Sequence, residues 1–135
     1  MLKAQYAILS EIHRQGNLGT HDFLGVFDRI LVDRLPGRHR QMTLSLSFYA
    51  EGEDDLGKKQ FVLKCIDPSG NPVFEQQGVF EMRPTAGTWL ASHNLNFEFQ
   101  GLPILQFGRY WFRFFVDGKE VAAHPFTVAK RPAHT

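Results

Sequence analysis

The chain has 135 residues, a formal net charge of +1 and a single cysteine. So small a charge gives no field to steer it onto nucleic acid or an anionic membrane, and one cysteine excludes an intrachain disulfide. No apolar run approaches the ~20 residues of a membrane span. The run at 6–9, YAIL, is too short for a signal-peptide core, so a bacterial, cytoplasmic protein is expected. A chain of this length fits one domain and buries roughly two-thirds of its unfolded surface without help from disulfides. Its 13 phenylalanines, poor surface residues and good strand residues, supply the core.

Taken in order, residues 3–14 alternate as a strand at Tyr6, Ile8 and Ile12, and residues 15–19, QGNLG, read as a hairpin loop. Residues 23–32, FLGVFDRILV, read as one second strand. Asp28 falls among its aliphatic side chains, with Gly25 a site for a bulge. Residues 33–41 are expected as a loop around Pro36-Gly37. Residues 42–50 alternate cleanly: Met42, Leu44, Leu46 and Phe48 inward, Thr43, Ser45, Ser47 and Tyr49 on a wet face. Residues 51–59 form a charged connection. Residues 61–67 and 73–82 pair across the turn DPSGNP. Leu95, Phe97 and Phe99 mark the inward side of a further strand, which Gly101 and Pro103 are expected to end.

The last stretch, 108–128, is the clearest. Tyr110, Phe112, Phe114 and Val116 share one strand face; Trp111, Arg113 and Phe115 share the other. Asp117-Gly118 suits a type I′ turn, whose two central residues need positive φ. The returning strand contains Pro125. Proline has no N–H for a ladder, so this part lies at an edge or carries a bulge. About eight short strands, with turn signals every 8–12 residues, point to an antiparallel β-sandwich.

Gly108-x-Tyr110, followed by Asp117-Gly118 and a final strand, resembles the ending of immunoglobulin-like sandwiches. There, a tyrosine hydroxyl bonds back to the backbone upstream. Over nearly its full length the chain resembles a bacterial β-sandwich family catalogued as a domain of unknown function. The residues that carry this are Ala7-Ile8-Leu9, L-G-V-F-D-R-I at Leu24 to Ile30, D-P-S-G at Asp67 to Gly70, and G-R-Y at Gly108 to Tyr110. The resemblance implies a single small sandwich and brings no activity, cofactor or catalytic residue.

Few residues suggest chemistry. Cys65 shares a face with Phe61 and Leu63, a setting for an inert thiol. The six histidines have no i, i+2 or i, i+4 spacing that would put two together on one element, so no metal is expected. There is no G-x-S-x-G elbow, and Asp54-Asp55 lies in a hydrated loop that would not shift a pKa. Asp28, the acid expected on an apolar face, is the one candidate for a perturbed carboxylate. Arg34, Arg38 and Arg40, with His39, form a basic cluster that could meet an acidic partner. Trp111, Arg113 and Phe115 are residue types typical of contact hot spots.

The expected protein is therefore a non-enzymatic, immunoglobulin-like β-sandwich at 1–130 with a loose tail at 131–135. It works without a cofactor, through protein contacts, as a homo-oligomer or accessory subunit. Its contact residues are Trp111, Arg113 and Phe115, or Arg34, Arg38 and Arg40. The alternative is a small-ligand or carbohydrate module using Trp89 and Tyr49, and a third reading is an enzyme built on Asp28 and His21. Neither nucleic acid nor membrane is expected as a partner.

Overall fold

A computed structural model describes residues 1–88 and 90–132. Among them, nine strands form two sheets. One sheet runs β2 (His21–Val26), β1 (Lys3–Gln15), β4 (Gly37–Tyr49), β7 (Ser92–Ile104). The other runs β3 (Arg29–Val32), β9 (Lys119–Lys130), β8 (Gly108–Val116), β5 (Gly57–Ile66), β6 (Pro72–Met82). All neighbours are antiparallel except β3 and β9. The fold is an immunoglobulin-like antiparallel sandwich.

The ninth strand comes from breaking the 23–32 segment in two. Its apolar residues do not share one continuous face: Leu24 and Val26 are exposed while Ile30 is buried. The chain changes sheets at Phe27-Asp28. The Phe27 amide donates to the Leu9 carbonyl at 3.0 Å, and the Asp28 carbonyl accepts from the Thr127 amide at 2.9 Å. Each sheet thus holds one side of the crossing. Gly25 has φ 68°, a turn of the backbone most residues resist.

The core is aromatic. Phe48 stacks on Phe114 at 5.0 Å, Phe112 meets Phe99 and Phe126 at 5.3 Å each, and Phe126 stacks on Tyr110 at 5.1 Å. Each such ring removed from water contributes roughly 1.5–3 kcal/mol, which gives the sandwich its cohesion without a disulfide. Asp117 (φ 48°) and Gly118 (φ 82°) form the closing turn as the sequence indicates. The Asp117 carboxylate also accepts from the Gln60 amide at 3.0 Å, tying the turn to β5. Pro125 sits just before β9 gains β3 as its second neighbour at Thr127, so no ladder bond is lost there.

Two boundaries move for physical reasons. β4 begins at Gly37, so Arg38, His39 and Arg40 are strand residues. β7 runs through Gly101 and Pro103 to Ile104. It is an edge strand, where a missing N–H on the outer side costs nothing. At the C-terminus, the Arg131 amide donates to the Val32 carbonyl at 2.8 Å, and the rest of the expected tail, from Ala133, lies outside the described residues.

Of the expected wet face of β4, only Tyr49 is exposed. Thr43, Ser45 and Ser47 are buried, Ser45 completely. The far half of the β1–β2 hairpin lies over them. Phe23 meets Tyr6 edge-on at 5.7 Å, and Asn94 on β7 bonds His21 at 2.8 Å.

Candidate functional site

β8 lies between β9 and β5 in the five-stranded sheet, so the sheet's outward side is set by three aligned rows. Ile66, Trp111 and Pro125 form one, Lys64, Arg113 and Ala123 the next, and Val62, Phe115 and Glu120 the third. The inward neighbours on β8, Tyr110, Phe112 and Phe114, are buried, whereas Trp111, Arg113 and Phe115 all keep part of their surface in water. Alternation of side chains along one strand produces this contrast.

The rings are flanked by cations. The Arg113 guanidinium stands 5.1 Å from the Trp111 ring centre, and the Lys64 ammonium 5.6 Å from that of Phe115. Both distances suit cation–π attraction. Arg113 also pairs with Glu120 at 2.7 Å, and Lys64 with Glu75 at 3.7 Å. All four charged side chains are between a third and a half exposed. The result is an aromatic surface with an open, charge-balanced frame, made of residue types that anchor protein interfaces.

The arginines at 34, 38 and 40 divide between a loop and a strand. Arg34 lies in the loop before β4, while Arg38 and Arg40 project from β4. Arg38 donates to the Gly101 carbonyl at 3.1 Å. The two β4 arginines border an open cleft of about 500 Å³ with Glu11, Leu31 and Arg131. His39 between them meets Phe27 in a tilted contact at 5.5 Å, and burial holds its pKa below the usual value.

Asp28 does not sit on an apolar face. It is exposed at the crossing between sheets, beside β9, while His21 belongs to the hairpin over β7. The proposed acid and its histidine are therefore on different sheets. Cys65 is fully buried, and burial pushes its thiol up to about 12, so it is an inert core residue. Tyr49 is 43% exposed at a shallow cleft with Gln5 and Leu90. Trp89, its expected partner in ligand binding, lies outside the described residues, as does His134.

One pairing escapes inspection of spacing along single elements. His13 and His21 stack at 5.1 Å, with Nε2 of the first 2.9 Å from Nδ1 of the second. They meet because the hairpin register brings positions eight apart side by side. With Asn94 Nδ2 donating to His21 Nε2, His21 Nδ1 carries its hydrogen toward His13. One hydrogen bond thus joins the two rings, and a second ties His21 to β7. Burial, and secondly the charge of His21, lower the pKa of His13. The arrangement braces the hairpin. Among the described residues, no group of three or more His, Cys, Asp or Glu is placed to hold a metal ion, and no helix is long and apolar enough to cross a membrane.

The Tyr110 hydroxyl completes a tyrosine corner. It donates to the Gln106 carbonyl at 3.0 Å and accepts from the Gln106 amide at 3.3 Å. Fold and surface together define an immunoglobulin-like sandwich with a tyrosine corner and one aromatic outward sheet face. The chain belongs to DUF6941, a family of unknown function, whose model matches residues 5–129. No curated protein matches it. Among solved structures it is similar to an alkylpurine DNA glycosylase, AlkC, of Pseudomonas fluorescens bound to DNA containing an abasic site analogue. The identity is 12%, the TM-score 0.48, and the match covers 94% of this chain and 30% of that one. It is also similar to an immunoglobulin-like protein of Pseudomonas aeruginosa, at 11% identity and TM-score 0.44, over 96% and 97% of the two chains.

Proposed function

We propose that this protein is a non-enzymatic, cytoplasmic contact module of a bacterial cell. It docks a protein partner through the outward face of its five-stranded sheet, as an accessory subunit or in a homo-oligomer. The observation that supports this is the pairing of Trp111 and Phe115 with Arg113 and Lys64 on a face open to water. On the other sheet, the outward side chains Thr43, Ser45 and Ser47 of β4 are buried. A partly exposed aromatic row stabilises a sandwich less than a buried one, so contact with a partner is the simplest use for it.

The test is recovery of partners from the native host with tagged protein, comparing wild type with Trp111→Thr/Phe115→Thr. Threonine keeps the strand preference of these positions. The expected result is a stoichiometric protein that co-purifies with wild type and is lost from the variant, while circular dichroism still shows a folded sandwich. Equal recovery by both proteins, or unfolding of the variant, would contradict the proposal.

A further inference from the structure

The sandwich has four sheet edges, and three are blunted. β2 is six residues long and turns at Gly25, while β3 is four residues long. β7 carries Gly101 at φ 71° and Pro103 at one end, and near the other its Asn94 is bonded to His21 of the β1–β2 hairpin at 2.8 Å. Short strands, positive-φ glycine and proline are the devices that stop an edge from templating another chain.

β6 has none of them where they would matter. It is 11 residues long and pairs only with β5. Its proline, Pro72, is its first residue, and it contains no lysine or arginine. Its two carboxylates each have a cation beside them, Glu75 with Lys64 and Glu81 with Arg83 at 3.2 Å, so they leave a second strand free to pair wherever it does not set another carboxylate directly opposite. Val79 is 62% exposed on the outward side.

We infer that β6 pairs antiparallel with β6 of a second copy of this chain, joining the two five-stranded sheets edge to edge. The inference rests on the reading of the chain as a contact module and names one partner, at a surface separate from Trp111. Charge selects the register. Centring the pair on Gly78 would set Glu75 opposite Glu81, two like charges. Centring it on Gln77 sets Glu75 opposite Val79 and Val73 opposite Glu81. It also places the two Gln77 amides face to face, where each can donate to the other. Nine residues on each strand, Val73 to Glu81, then take part, adding about nine backbone hydrogen bonds. A two-fold axis through Gln77 makes the interface self-complementary and closed. It would also place two Trp111–Phe115 faces on the same side of the assembly.

Light scattering on the eluting protein tests this at about 100 µM, where a micromolar interface is saturated. The chain weighs 15.5 kDa, and the expected mass is twice that. Gln77→Lys sets two ammonium groups opposite each other and should return the protein to a folded monomer, whose unfolding midpoint no longer depends on protein concentration. Gln77→Cys should give a covalent dimer on mild oxidation, since Cys65 is buried and does not compete. Trp111→Thr/Phe115→Thr should remain dimeric. A monomeric wild type would overturn the inference. So would a dimer that survives Gln77→Lys, absence of the Gln77→Cys crosslink, or a dimer lost only in the Trp111/Phe115 variant. That last outcome would leave the reading of the aromatic face standing while removing this one.

Discussion

Gly78 lies directly opposite Phe61 in the β5–β6 register, and the Phe61 ring covers it. A Cβ at Gly78 would meet two ring carbons at 2.5 and 2.6 Å, where ordinary contact begins about 1 Å farther out. The ring has little room to retreat, because Phe114 lies 5.4 Å, Phe97 5.6 Å and Phe80 6.3 Å away. Two effects of Gly78→Ala therefore oppose each other. Strand preference alone favours alanine by about 0.5–1 kcal/mol. Overpacking costs about 1–3 kcal/mol. The clash is with a ring held on three sides, so overpacking wins, with a net loss of about 1–2 kcal/mol. For a chain this long that lowers the unfolding midpoint by about 3.5–7 °C. Calorimetry measures it. Phe61→Leu, which shortens the covering side chain, should absorb most of the added methyl, so the double variant should be less damaged than the two singles imply by at least ~1 kcal/mol. A stabilised Gly78→Ala, or strictly additive effects, would refute the reasoning.

Tyr110→Phe removes both hydrogen bonds to Gln106 and keeps the ring. It should cost about 1–3 kcal/mol, whereas Tyr49→Phe at an exposed site should be silent in the same thermal melts. Stability should also fall in acid. Burial lowers the pKa of His13, His39, His93 and His124 in the folded protein below the usual 6.5. The unfolded chain therefore binds more protons as pH drops through 6.5. The stabilisation is complete above that pH and is lost progressively toward the lowered values. Denaturant midpoints at pH 7.5 and 5.5 measure this, and a higher midpoint at 5.5 would contradict it.

Residue order showed the closing hairpin almost completely. Alternating aromatics, Asp117-Gly118 and the tyrosine are local signals, and the structure uses each of them locally. Cys65 and the inward row Leu95, Phe97 and Phe99 are legible for the same reason. What escaped depends on which strand lies beside which. The apolar run through Leu24 and Ile30 reads as one strand because nothing in it shows that Leu9 and Thr127 will hold opposite sides of the break. Thr43, Ser45 and Ser47 alternate like a solvated face, and only the hairpin folding over them changes that. His13 and His21 meet across a turn, so they are found by reading pairs through the 15–19 loop rather than along a strand. For the contact face, the sequence showed that Trp111, Arg113 and Phe115 lie together. It could not show how much of them remains open, because that depends on the neighbours from β5 and β9.

Quantitative co-purification with three forms of the protein bears most directly on the outward face as the docking surface. Wild type, Trp111→Thr/Phe115→Thr and Arg38→Ala/Arg40→Ala are compared at equal folded concentration. Loss of central aromatic anchors removes more than 1.4 kcal/mol from an interface, a tenfold drop in affinity. The proposed docking mode predicts at least that loss of bound partner for the Trp111/Phe115 form, with the Arg38/Arg40 form retaining wild-type levels. Undiminished binding by the Trp111/Phe115 form, or loss confined to the arginine form, would contradict it and move the contact to the β4 cleft.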